Sequence, residues 1–95
     1  MKSMTNANVK EETVETYTIE AENIRLTYTL FTSTADYDGR KCYSLTVTAE
    51  TDDEITSSTA HDITRRRKGA IRYFRMITRG LVTPCTLFDV LENIL

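Results

Sequence analysis

From Ile24 to Leu30 apolar and polar residues alternate without a break. Ile24, Leu26, Tyr28 and Leu30 fall on one side, Arg25, Thr27 and Thr29 on the other. Successive side chains of a strand point to opposite faces, so this period of two predicts a strand with one buried face. The pattern returns after Lys41, with Tyr43, Leu45, Val47 and Ala49 facing one way and Cys42, Ser44, Thr46 and Thr48 the other. Residues 13–20 are rich in β-formers and set Tyr17 and Ile19 on one face. Ala21-Glu22-Asn23 reads as a turn, and Asp38-Gly39 supplies the positive φ that a hairpin needs. Three strands with short links form an antiparallel meander. The polar run 50–54 ends it, and residues 55–60 stand open between a loop and a fourth strand.

Beyond this point the period changes. Thr59-Ala60-His61-Asp62 has the spacing of a capping box, with Asp in place of Glu, and Asp62 is itself a capping residue type. The helix expected after it places Ile63, Ala70, Ile71, Phe74 and Ile77 on one stripe. Gly80 suits the position just past its end, with Leu81 as the apolar contact that follows. Thr83 then caps a second helix with Pro84 in its first position, and Val82 and Leu87 have the spacing of a hydrophobic staple. Leu87, Val90, Leu91 and Ile94 form the buried stripe of that helix, broadened by Phe88 and Leu95. A sheet and two helices, each with one apolar face, bury those faces against one another. The expected fold is therefore α+β: a three-stranded meander, with 55–60 as the candidate fourth strand, followed by two C-terminal helices packed on one face of the sheet.

The chain has 95 residues, enough for one domain and too few for two. Residues 1–10 are polar and aperiodic and read as a disordered tail, leaving 11–95 as the single α+β domain. Seventeen residues are Thr, mostly before position 65, and this β-branched residue reinforces the strand reading of the first two thirds. No apolar run approaches the roughly 18 residues of a membrane span, and the N-terminus has no apolar export segment. Cys42 and Cys85 are then expected to be reduced thiols in a cytoplasm.

Tyr43-Ser44-Leu45-Thr46-Val47, together with Val82-Thr83-Pro84, Leu87, Asp89-Val90 and Glu92, resembles a family of small clostridial (Firmicutes) proteins, a domain of unknown function. The likeness runs from about Ile24 to Leu95. Where the family pattern commonly has Gly after the strand tyrosine, this chain has Ser44. The resemblance implies the same α+β fold and a bacterial cytoplasmic origin, and it supplies no catalytic residues.

Charge changes the picture more than composition does. The net charge of −2 conceals a net −7 over residues 1–62 and a net +7 over residues 63–82, where no acid occurs. Arg65, Lys68, Arg72, Arg75 and Arg79 recur at steps of three and four, which aligns all five on one helical face opposite the apolar stripe. If helical throughout, they span about 21 Å. Such a face can meet an acidic protein surface or follow a phosphate backbone. The plain alternative is a solvated face, partly neutralised by the acids of residues 50–54. A helix-turn-helix is disfavoured, because the second helix carries Asp89 and Glu92 with no Arg or Lys.

Other constellations are weaker. Glu50, Asp52, Asp53 and Glu54 lack the Gly of a calcium loop and read as a solvated turn. Cys85 near a helix start is a candidate thiolate, but the lone His61 is not placed beside it, and a buried apolar filler is the preferred reading. Thr56-Ser57-Ser58-Thr59 is hydroxyl-rich, as loops often are. There is no Gly-rich phosphate loop, Cys/His metal set or nucleophile elbow. The expectation is a protein that is not an enzyme and uses no cofactor or metal. It would be an interaction module that meets an acidic protein partner through the basic face, or pairs through a sheet edge as a homodimer. A regulatory nucleic-acid binder using the same face is the alternative, and no membrane association is expected.

Overall fold

A computed structural model describes residues 9–35 and 40–94. The chain runs β1 (Val9–Ala21), β2 (Ile24–Ala35), β3 (Lys41–Glu50), β4 (Ile55–Thr64), α1 (Arg67–Arg79) and α2 (Leu87–Ile94). The four strands form one antiparallel sheet in the order β1-β2-β3-β4. The meander is therefore four-stranded, and residues 55–60 belong to its last strand. β1 begins at Val9, inside the segment read from sequence as tail; residues 1–8 and the Asp38-Gly39 turn lie outside the described residues.

The two layers meet where the alternation predicts. Leu26, Tyr28 and Leu30 of β2 and Leu45, Val47 and Ala49 of β3 are buried against Ala70, Phe74 and Ile77 of α1 and Leu87 and Leu91 of α2. Tyr28, at the centre of this core, donates its phenol O–H to the carbonyl of Val82 at 2.9 Å, tying the link between the helices to the sheet. α1 packs over β2, β3 and β4, and α2 packs against β4. The helix layer thus leaves the outer strand β1 largely uncovered.

The start of α1 departs from the capping-box reading. Residues 59–62 are strand, and α1 begins at Arg67, with Arg66 extended at the N-cap and making no side-chain cap. The tertiary partner decides this. β3 offers residues 55–60 a full ladder, reinforced by hydroxyl pairs between Thr46 and Thr59 at 2.9 Å and Thr48 and Ser57 at 3.1 Å. Local capping bonds lose to such pairing. The ladder then slips: Leu45 faces Ala60 and Tyr43 faces Thr64, so residues 61–63 bulge opposite Ser44 alone. Asp62 sits at the bulge with φ 52°, and its N–H donates to the buried Ser44 Oγ at 3.0 Å. Ile63 still packs against the core, from β4 instead of from a helix.

The end of α1 is displaced by one residue from its expected place. Gly80 keeps a right-handed conformation (φ −81°), and Leu81 takes the left-handed one (φ 53°). Leu81 N–H donates to Thr78 O at 3.3 Å and Val82 N–H to Ile77 O at 3.2 Å, the bond pair of a Schellman motif. Val82, not Leu81, is the apolar contact that closes it: Val82 is buried and Leu81 exposed. A buried Pro84 then opens a turn, and α2 begins three residues later than expected, at Leu87. Thr86 Oγ1 accepts the Thr83 N–H at 3.2 Å, while Thr86 N–H donates to Thr83 O at 3.1 Å. Val82 and Leu87 are both buried, as the staple spacing implies, whereas Phe88 is exposed.

Candidate functional site: the cationic face of α1

α1 turns Ala70, Phe74, Ile77 and Thr78 toward the sheet. At 100° per residue, Lys68, Arg72, Arg75 and Arg79 fall within an arc of about 60° on the opposite side, spaced over about 16 Å. All four are exposed. Arg65, the fifth residue of the predicted stripe, precedes the helix and follows the last residue of β4, so it stands at the approach to the face and out of helical register. Arg66 and Arg67 are exposed beside it.

The face is not purely charged. Ile71 and Met76 join Lys68, Arg72, Arg75 and Arg79 around a shallow groove of about 410 Å³. Ile71 is half-buried and Met76 exposed. Among the described residues, no carboxylate lies within salt-bridge range of any of these cations; the ion pairs found belong to Arg25. The first turn of α1 contains no acid, so Arg67 and Lys68 sit against the positive end of the helix dipole. Arg79, in the last turn, is placed favourably.

The acids of the β3–β4 turn gather elsewhere. Glu50 and Asp52 line a hollow of about 370 Å³ with Glu20, Glu22 and Arg25 at the end of the sheet that carries the β1–β2 turn. Arg25 bonds Glu20 at 2.7 Å and approaches Glu50 at 3.9 Å. The hydrogen bond and charge of Glu20, then the charge of Glu50, raise the guanidinium above its ordinary pKa. The turn itself closes through Thr51, whose N–H donates to Glu54 O at 2.9 Å and whose Oγ1 accepts the Glu54 N–H at 3.2 Å. Among the described residues no group of three or more His, Cys, Asp or Glu is arranged to hold a metal.

Cys85 is exposed in the turn before α2, which corrects its reading as a buried filler: its neighbour Pro84 faces inward instead. Cys42 is half-buried, and both thiols are free. His61 is exposed within the β4 bulge. None of the described helices is long and apolar enough to cross a membrane.

Two features escaped the sequence. The sheet face away from the helices carries hydroxyls in two ranks, Thr16–Thr29–Thr46–Thr59 and Thr18–Thr27–Thr48–Ser57. Each strand shows its own pair of hydroxyl residues two apart, but their alignment needs the register. The second is a cleft of about 260 Å³ between β1 and α1, lined by Glu15, Tyr17, Phe74, Arg75, Thr78 and Arg79. No local pattern brings residues 15–17 beside 74–79.

No curated protein and no solved structure matches this chain. Residues 4–95 match a family of unknown function, DUF6514. That match spans all four strands and both helices, and the chain belongs to this family of unknown function.

Proposed function

We propose that the protein is a non-catalytic interaction module that binds an acidic protein surface through the cationic face of α1. The observation that carries this reading is the set of four aligned, exposed cations, none in a salt bridge among the described residues, set around Ile71 and Met76. Arg and Met are enriched at protein interfaces and Lys is depleted, and three of the four cations are Arg. A guanidinium also pairs with a carboxylate through two parallel N–H bonds, which an ammonium cannot do. The uncapped, basic first turn adds support. It works against the helix dipole, and residues that break a local rule in this way are often kept for function. A bacterial cytoplasmic setting fits this reading through the likeness to clostridial proteins and the two free thiols.

The test uses a labelled polyglutamate peptide as the simplest acidic probe. Binding to the unmodified protein is expected, and Lys68→Glu combined with Arg72→Glu should abolish it while leaving the melting temperature nearly unchanged. Binding that survives the double reversal removes the helix face from the function. Labelled DNA and RNA, run in parallel, address the nucleic-acid alternative, which the same row of cations favours. Tight binding with a steep salt slope, lost in the double reversal, would put that alternative first.

A further inference from the structure

We infer that two copies of this chain pair through the outer edge of β1, antiparallel about Tyr17, into one continuous eight-stranded sheet. The sheet has two edges, β1 and β4. The β4 edge is broken by the bulge at 61–63, where Asp62 takes φ 52°, and α2 packs against that strand. Bulges of this kind protect an edge from pairing. β1 has one irregularity of its own, between Thr13 and Glu15. From Glu15 to Ala21, however, it pairs with β2 in unbroken register, no described strand pairs with its other side, and the helices pack mainly over β2, β3 and β4.

The side chains along this run are self-complementary. Glu15, Tyr17 and Ile19 pair with Leu30, Tyr28 and Leu26 and therefore share the helix side of the sheet. Tyr17 is 49% exposed there although its strand neighbour Tyr28 is fully buried. A two-fold axis at Tyr17 sets Tyr17 against Tyr17 of the partner copy, Glu15 against Ile19, and Thr16 against Thr18. Glu15 then lies diagonal to Tyr17 of the partner copy, about 7–8 Å away, a distance long side chains bridge. Next to that tyrosine lies the cleft lined by Arg75, Arg79 and the same copy's Glu15, so the partner copy brings a second carboxylate to a site that holds two guanidiniums and one carboxylate.

Acids on an edge strand normally oppose pairing. Here they do not fall in the way. Across residues 15–19 no acid faces an acid in this register. Glu11 and Glu12 lie beyond the irregularity between Thr13 and Glu15, and Glu20 is bound by Arg25 at 2.7 Å.

Sedimentation equilibrium over micromolar to millimolar concentration tests the inference. The mass should rise from 10.9 kDa toward twice that value. Tyr17→Lys should weaken the dimer at least about tenfold, or about 1.4 kcal/mol, with an unchanged far-ultraviolet spectrum. The Lys68→Glu and Arg72→Glu pair should leave it intact, because of the cationic face only Arg75 and Arg79 line the cleft beside Tyr17. A mass of 10.9 kDa at every concentration overturns the inference. So does a dimer indifferent to Tyr17→Lys. Should that variant not fold, hydrogen exchange on the unmodified protein decides: amides of residues 15–19 must slow with concentration while those of 55–60 do not, and no slowing at 15–19 overturns the pairing.

Discussion

Leu81 shows how much a single residue can be asked to bear. It is exposed, carries a branched side chain and occupies the left-handed region, where an L-residue costs roughly 1–2 kcal/mol. The Schellman bonds at 77 and 78 hold it there. Leu81→Gly should therefore stabilise the protein by about 1 kcal/mol, read as a higher urea midpoint at unchanged m-value. Tyr28 makes the opposite case. Its O–H satisfies the buried carbonyl of Val82, and Tyr28→Phe should cost about 0.5–1.5 kcal/mol in the same measurement. Burial also pushes the Tyr28 phenol above its ordinary value of 10.0. The unfolded chain then releases this proton first as pH rises, so the stability tied to it is complete below pH 10.0 and is lost above it. Urea midpoints of the unmodified protein and Tyr28→Phe, followed above that pH, should converge. The alternation of β2 made the burial of Tyr28 legible, but not its bond to Val82 nor the left-handed geometry at Leu81. Leu81 looked like an apolar contact and Gly80 like the left-handed residue, because glycine is the usual occupant; the helix ended one residue later, and the buried side chain that closes the motif is Val82.

At the scale of elements, boundaries moved where tertiary pairing competed with local signals. β4 absorbed the residues that resembled a helix cap, because β3 offered a complete ladder and two hydroxyl pairs. What remained was a helix with no side chain at its N-cap and two cations in its first turn. Arg66→Asp should supply both a cap and a favourable charge, raising stability by about 1 kcal/mol in thermal or urea unfolding. If the cationic end is kept for binding, the same substitution should weaken polyglutamate binding, a trade between stability and function seen when one substitution serves opposite demands. The strands and the buried stripes of both helices were readable, because alternation of period two and repeats of three and four are direct consequences of backbone geometry. The helix starts were not, since a cap is a contest among neighbours that the sequence alone does not decide.

For the molecule as a whole, charge is separated in space as it is along the chain. Glu20, Glu22, Glu50 and Asp52 gather at the turn end of the sheet, with Arg25 among them, while the outer face of α1 carries Lys68, Arg72, Arg75 and Arg79. Binding of an acidic probe to the helix face should therefore weaken steadily as salt rises toward physiological strength, where screening acts over about 8 Å. Titration of polyglutamate binding at several salt concentrations measures this, and a flat response would assign the affinity to Ile71 and Met76 instead. The sequence by itself determined the α+β class, most of the core residues of β2, β3 and the helices, and the alignment of Lys68, Arg72, Arg75 and Arg79, because each follows from a repeat that the backbone imposes. It did not determine the fourth strand, the bulge opposite Ser44, the hydroxyl ranks or the cleft that joins Glu15 and Tyr17 to Arg75 and Arg79. Those depend on which strand pairs with which and in what register, and that is settled only when residues distant in the chain compete for the same hydrogen-bonding groups and the same buried volume.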